Sequence, residues 1–206
     1  PDFKINYDQF AQLISPKTRM IILNTPHNPT GAVLEQRDWL AIEKLVKHTN
    51  IIIISDEVYE HITFDGKPHE SILKYPSSWN RAIVAFSFCK TFHCTGWKMG
   101  YVTAPDYLMK EIRKNHQFNI FCVTNFLQHA IADFLEGQSY YQSLPQFFQK
   151  KRDLFSQLLE ESQFQLIPSY GSYFQLADYS QISQENDVDF AKRMTQEYGV
   201  AVIPIS

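Results

Sequence analysis

Four consecutive isoleucines at positions 51–54 are the feature of this sequence that most restricts its fold. β-Branched side chains favour strands, and a run without polar alternation is typical of a strand buried on both faces of a parallel sheet. Residues 20–23 and 82–86 form similar short apolar runs bounded by polar or turn residues. We therefore predict buried strands at residues 20–23, 51–55 and 82–86.

The segment between the first two runs has the period of a helix. Residues 35–49 place Trp39, Leu40, Ile42, Leu45 and Val46 at helical spacing. A strand, a crossover helix and a second strand form a β-α-β unit, and such a unit pairs its strands in parallel.

The alternation of strand and helix patterns continues to the end of the sequence. It predicts strands at 100–104, 164–167, 172–176 and 200–203 and helices at 107–117, 125–136, 150–163 and 188–198. The fold class is therefore α/β, with a mostly parallel sheet flanked by helices. Gly137 and Pro145 predict a boundary between residues 1–140, part of a large domain, and residues 141–206, an interdomain helix and the start of a smaller C-terminal α/β domain.

Composition narrows the possible partners. The 206 residues carry a formal net charge of -3, which provides no basic field for nucleic acid or anionic lipid, and no apolar stretch is long enough to cross a bilayer. Small molecules are better candidates for its partners.

Cys89, Cys94 and Cys122 are odd in number and suit a reducing compartment, so we expect a cytoplasmic protein. Because the chain opens at Pro1 without a methionine, we expect it to be an interior part of a longer protein.

Polar side chains follow the predicted strands. Asp56 follows the four isoleucines and Ser55, at the carboxyl end of its strand, where open α/β sheets bind ligands. Tyr59 follows three residues later, and Asn28 lies in a turn after the first strand. Each has a simpler alternative: an aspartate capping the next helix, a tyrosine packing in the core and an asparagine forming a turn.

Lys90 follows the third predicted strand, among small and aromatic neighbours. A surface lysine is the usual alternative, but Ser87 and Lys98 nearby offer a hydroxyl and a cation for a phosphate group. An amine for an aldehyde, a carboxylate for a ring nitrogen and neutral donors for a ring oxygen are together what pyridoxal 5'-phosphate needs. We therefore predict a site for this cofactor.

A metal site is the competing interpretation of the same region. Cys89, His93 and Cys94 could supply ligands, but the spacing lacks a Cys-x-x-Cys pair and a nearby fourth ligand. We therefore predict no metal.

Five motifs make the chain resemble a known family, the fold-type I, class I/II pyridoxal-phosphate aminotransferases, and in particular their methionine and kynurenine aminotransferase branch. The resemblance extends over the whole chain. The motifs are Asn-Thr-Pro-His-Asn-Pro-Thr-Gly at 24–31, Ser-Asp-Glu-Val-Tyr-Glu-His at 55–61, the run at 87–101, Glu-Ile-Arg-Lys at 111–114 and Gly-Ser-Tyr-Phe at 171–174.

The resemblance implies a fold, a reaction and a set of roles. The fold would be that of the fold-type I transferases, and a homodimer would move an amino group from an L-amino acid to a 2-oxo acid by a ping-pong mechanism. By this resemblance, Lys90 would attach to the cofactor aldehyde and transfer protons. Asp56 would bind the ring nitrogen, and Asn28 and Tyr59 would bind the ring oxygen. Ser87 and Lys98 would bind the phosphate.

Three aromatic residues match substrate-pocket positions of the same branch. Phe121 matches a residue that reaches the neighbouring subunit's pocket, and Tyr173 and Phe174 match a loop beside the substrate side chain. An apolar pocket lined by rings would favour methionine and aromatic amino acids, although core packing is the alternative for all three.

The chain also departs from the family pattern. Thr124-Asn125 stands where many members have Thr-Pro, so that loop is expected to differ. The resemblance also implies that a stacking aromatic and a phosphate loop lie upstream, and a carboxylate-binding arginine downstream, of these residues. Two other functions remain open: a carbon–sulfur β-lyase that uses the same residues, and a non-catalytic regulatory module that binds the cofactor.

Overall fold

A computed structural model describes residues 3–137 and 139–206. Strands and helices alternate along the chain, as the sequence predicts. In chain order they are α1 (Tyr7–Leu13), β1 (Met20–Asn24), α2 (Gln36–Val46), β2 (Ile52–Asp56), α3 (Pro76–Trp79), β3 (Ala82–Phe86), α4 (Phe88–Thr91), β4 (Tyr101–Thr103), α5 (Asp106–Asn119), α6 (Asn125–Leu135), α7 (Leu144–Leu158), β5 (Gln165–Leu166), β6 (Ala177–Asp178) and α8 (Asp187–Tyr198).

The main sheet has the order β1-β2-β3-β4. The first three strands are parallel, and β4 runs antiparallel to β3. Asn24 pairs with Asp56, and Asp56 pairs with Ala85, so the carboxyl ends of the parallel strands lie at one edge of the sheet. This confirms the predicted mostly parallel α/β fold and brings the segments that follow β1, β2 and β3 together.

Helix α2 covers one face of this sheet. Trp39, Ile42 and Val46 are fully buried on α2 and belong to the same core as Ile53 of the central strand. The strands alternate between buried and more exposed positions, and Ile22 of β1 is 71% exposed. Burial on both faces was therefore a wrong expectation for β1 within the described residues. α2 covers one face, and the side chain of Ile22 lies on the other.

Two predicted strands are wrong. Residues 172–176 are not a strand because Ser172 has a positive φ of 62°, which interrupts an extended backbone, and the strand β6 forms just after them against β5. Residues 200–203 have no partner strand among the residues described, and a strand needs one for its backbone hydrogen bonds.

The long helix near the predicted domain boundary ends earlier than predicted. The sequence predicts that residues 150–163 are part of a long helix, whereas α7 covers Leu144–Leu158, with Pro145 in its first turn. Ser162 lies beyond the helix end, where its hydroxyl donates to Leu159 O and accepts from Phe164 N. Within the described ranges, no helix is both long and apolar enough to cross a lipid bilayer.

Candidate functional site

Asn24, the last residue of β1, links Asp56, the last residue of β2, to the turn that carries Asn28. Its side-chain amide donates to the Asp56 carbonyl oxygen at 2.9 Å, and its Oδ1 accepts from the Asn28 backbone amide at 2.8 Å. The Thr25 amide also donates to the Asp56 carbonyl at 3.0 Å. Asn28 and Asp56 are therefore held beside each other. Asn24 was not predicted as a site residue, although it lies within the motif at 24–31.

The Asp56 carboxylate can accept a further hydrogen bond. Its Oδ1 accepts from the Val58 amide at 3.2 Å, which stabilises the turn after β2. This is a local turn contact and not the cap of an α-helix. Among residues 3–137 and 139–206, no donor reaches Oδ2 within hydrogen-bonding distance. Asp56 is partly buried and lies at the same edge of the sheet as Asn28.

Tyr59 is a buried neutral donor at the same edge. Its side chain is 2% exposed. Burial raises the pKa of its hydroxyl well above the ordinary value, and the Tyr173 hydroxyl and the Asp56 charge raise it further. A hydrogen bond from the Asn28 side chain lowers this pKa, but by less. The phenol therefore stays protonated across the physiological range, with Asn28 beside its oxygen.

Lys90 lies on α4, a single helical turn after β3. The Ser87 hydroxyl caps this turn by accepting from the Lys90 backbone amide at 3.3 Å. The Lys90 amine donates to the Tyr173 hydroxyl at 3.2 Å. It also lies 5.7 Å from the ring centroid of Tyr59 and 5.8 Å from that of Tyr173, within the range of cation–π attraction. The amine thus lies against two phenol rings.

Tyr173 reaches this position because the loop that carries it packs against the segments that follow β1 and β2. Gly171 lies so close to the first turn that a Cβ there would come within 2.7 Å of Pro26 Cβ, closer than two carbons can approach. Phe174 adds a ring 4.8 Å from that of Tyr173. Three backbone hydrogen bonds of 2.9 Å hold the loop, from Tyr170 N to Gly31 O, from Phe64 N to Tyr170 O and from Ser172 N to Ile62 O.

Arg152 on α7 supports this loop. Its guanidinium donates to both carboxylate oxygens of Asp65, at 2.8 and 2.7 Å, and to the Ser169 carbonyl at 2.8 Å. Paired Arg–carboxylate bonds fix both distance and orientation. Because its partners are 87 and 17 positions away in the sequence, no local pattern could reveal this role.

Two buried carboxylates follow Asp56 in the sequence, and sequence reasoning missed both. Glu57 is fully buried and accepts from the Ser55 hydroxyl at 2.8 Å and the Ile72 amide at 3.1 Å, with His69 Nε2 at 2.7 Å. Glu60 has a buried Oε2 with no hydrogen-bond partner in the described part of the chain. Burial raises its pKa to about 7, with the Glu57 and Asp56 charges as further causes.

Lys98 and Phe121 are exposed, and neither is seen in contact with Lys90 in the part of the chain that the structure describes. Lys98 is exposed at the end of a 3₁₀ turn, with a φ of 53°. Phe121 is 80% exposed and lines a groove with Tyr101 and Arg113. In the described ranges, no hydrogen bond or ring contact connects either side chain to Lys90, so their predicted roles remain predictions.

The sequence matches the family model "Aminotransferase class I and II" over residues 1–206. The chain belongs to this family. It is 45% identical to methionine aminotransferase of Escherichia coli, covering 100% of the chain and 54% of that protein. It is 34% identical to kynurenine–oxoglutarate transaminase 1 of Rattus norvegicus, covering 100% of the chain and 53% of the relative.

Solved structures of other aminotransferases have the same fold as this family member. The chain matches a crystal structure of an Escherichia coli protein with a methionine aminotransferase function at a TM-score of 0.96 and 45% identity, covering 99% of the chain and 54% of that structure. It matches N-succinyldiaminopimelate aminotransferase of Mycobacterium tuberculosis at a TM-score of 0.92 and 33% identity, covering 97% of the chain and 52% of that structure. The chain therefore spans about half the length of the relatives it matches.

Proposed function

We propose that the protein containing this chain is a pyridoxal-phosphate-dependent aminotransferase. It moves an amino group from an L-amino acid, with methionine or an aromatic amino acid favoured, to a 2-oxo acid by a ping-pong mechanism. The observation that carries the proposal is the meeting of the Lys90 amine, the Tyr59 phenol and the Asp56 carboxylate at one edge of the sheet. The names of the relatives favour amino-group transfer over a carbon–sulfur β-lyase and over a regulatory module.

The donors and acceptors at the sheet edge fit the cofactor. Asp56 has an oxygen open to a protonated ring nitrogen, and a carboxylate there keeps such a nitrogen protonated. Tyr59 stays a neutral phenol beside the Asn28 amide, so both can donate to the ring oxygen. Ser87 and Lys98 would hold the phosphate with a hydroxyl and a cation.

Lys90 is the group that reacts. When bound, pyridoxal phosphate supplies an electron-accepting ring for the electron pair left by the departing α-proton. Lys90 would hold the cofactor through its aldehyde carbon. Its free Nζ would act as the base that takes the substrate α-proton and as the acid that returns a proton. The two phenol rings shield part of this amine from bulk water.

The substrate pocket accounts for the proposed donor preference. Tyr173 places its ring beside Lys90, and the ring of Phe174 packs against that of Tyr173. Phe121 is proposed to reach the pocket of a neighbouring subunit. Such rings favour an apolar or aromatic side chain over a carboxylate. Because methionine is flexible and its sulfur attracts ring edges, it suits this pocket.

We further propose a cytoplasmic homodimer with shared active sites. Phe118, Phe121 and Phe126 are 85, 80 and 72% exposed and lie close together in the sequence, from the end of α5 to the start of α6. Large exposed apolar side chains of this kind favour an interaction surface in this segment. The proposed domain division is residues 1–140 and 141–206, with α7 as the interdomain helix.

A transamination assay tests the proposal. The full-length protein is supplied with methionine and a 2-oxo acid, and the new amino acid is measured for the parent, Lys90→Ala and the exposed-lysine control Lys110→Ala. We expect Lys90→Ala to lose about a thousandfold or more of the rate, because it removes both the attachment point and the base. Near-normal turnover by Lys90→Ala contradicts the proposal. Pyruvate and a thiol released from cystathionine without an oxo acid would instead select the lyase.

A further inference from the structure

We infer that Tyr173 is a positioning residue for Lys90, in addition to lining the substrate pocket. Its hydroxyl holds the Lys90 amine whenever that amine is not attached to the cofactor, and so aims it for attachment and for proton transfer. The inference rests on the proposed function of Lys90.

The contact between the two side chains is direct. Lys90 Nζ donates to Tyr173 Oη at 3.2 Å, and in residues 3–137 and 139–206 this oxygen is the one hydrogen-bond acceptor of the amine. A lysine side chain has four flexible carbons and loses rotamer entropy when it is held in place. The Tyr173 oxygen selects one position of the amine, beside the two phenol rings.

Tyr173 itself is fixed by its neighbours. The Tyr59 hydroxyl donates to Tyr173 Oη at 3.5 Å, and the two rings are perpendicular with centroids 5.1 Å apart. Phe148 of α7 adds a ring contact at 5.8 Å. Without cofactor, the Tyr173 oxygen accepts from Lys90 and from Tyr59. With cofactor bound, Tyr59 would donate its one proton to the ring oxygen instead, and the ring contacts with Tyr59 and Phe148 would still fix Tyr173.

The backbone beneath Tyr173 is equally constrained. Ser172 is fully buried, with a φ of 62°, and its amide donates to the Ile62 carbonyl. Gly171 has no space for a side chain. The loop therefore presents the Tyr173 hydroxyl at a defined point, although it follows Lys90 by 83 residues in the sequence.

Tyr173→Phe removes the acceptor and keeps the ring. Without the acceptor, the amine spends less time where it can react. Because one ordinary hydrogen bond corresponds to about a two- to tenfold effect, we expect both reactions of Lys90 to slow by that factor. Tyr170→Phe, on the same loop and also losing one hydroxyl, is the matched control.

The first measurement uses the cofactor-free full-length protein. It is mixed with pyridoxal phosphate and quenched with borohydride at intervals, and mass spectrometry gives the fraction of Lys90 that carries the reduced cofactor. We expect attachment about two- to tenfold slower in Tyr173→Phe and unchanged in Tyr170→Phe. Equal rates in the parent and Tyr173→Phe overturn the inference. If the parent itself does not attach the cofactor at Lys90, the proposed function fails instead.

The second measurement separates positioning from pocket lining. With methionine deuterated at Cα, Tyr173→Phe should have a lower kcat and a larger isotope effect, because proton transfer limits the rate more strongly. Its KM for methionine should stay within about twofold of the parent value. A raised KM with unchanged kcat and isotope effect means that Tyr173 only lines the pocket, and overturns the inference.

Discussion

Replacing Glu60 by glutamine should change how the stability of the protein depends on pH. The Glu60 side chain is 10% exposed, and its buried Oε2 has no partner among the described residues. Its neighbour His61 lies 3.4 Å away, but burial lowers the pKa of His61, with the His69 charge as a second cause, so it offers no full positive charge near neutral pH. The folded protein therefore prefers Glu60 protonated.

The size of the effect follows from the raised pKa. Glu60 has a pKa of about 7 in the folded protein, against an ordinary value of 4.5. A folded-state pKa above the unfolded value contributes stability that is complete below pH 4.5 and is lost as the pH rises through 7. The difference of roughly 2.5 units, at about 1.4 kcal/mol per unit, gives a loss of about 3 kcal/mol by about pH 8. Glutamine cannot ionise and avoids this loss.

Urea unfolding of the parent and Glu60→Gln at about pH 5 and about pH 8 measures the effect. The gain in unfolding free energy from the substitution should be about 2 to 3 kcal/mol larger at the higher pH. Glu160→Gln, at an exposed position just after α7, controls for the loss of one carboxylate. If the difference in unfolding free energy between Glu60→Gln and the parent stays constant across this range, Glu60 does not have a raised pKa in the folded protein.

Three further substitutions test the supports of the site. Gly171→Ala should destabilise the protein by about 1 to 3 kcal/mol in thermal unfolding, because its Cβ has no space, whereas Gly96→Ala, with no atom within 4 Å of a Cβ, should not strain its surroundings. Arg152→Lys should cost about 1 to 3 kcal/mol and raise the KM for the amino donor, since lysine cannot bond to both oxygens of Asp65. Ser87→Ala should cost about 1 kcal/mol by removing the cap of the turn that carries Lys90, and should weaken cofactor binding in an equilibrium titration.

The sequence predicts the sheet and the residues that follow its strands, because both depend on local patterns. The strand at 82–86 is correct to the residue, and the strands that lead to Asn24 and Asp56 end one residue later than predicted. Turn residues directly after parallel strands must meet at one edge, which is why the sequence alone could group Asn28, Asp56 and Lys90.

The parts that the sequence could not predict depend on contacts between distant segments. The apolar pattern at 172–176 predicts a strand. In the structure, contacts with the turns at the sheet edge determine the backbone conformation of this segment, and Ser172 adopts a positive φ. The contact between Tyr173 and Lys90 and the support from Arg152 likewise arise only when the loop meets the sheet edge. The burial of Glu60 depends on the same packing and has no pattern of its own.

The site at which the cofactor becomes attached tests the proposed role of Lys90 most directly. The full-length protein is loaded with pyridoxal phosphate, reduced with borohydride, digested and examined by tandem mass spectrometry. We expect the phosphopyridoxyl group on Lys90, and no such labelling in Lys90→Ala. A protein that takes up no label, or carries it on another lysine while Lys90 is unmodified, would contradict this role.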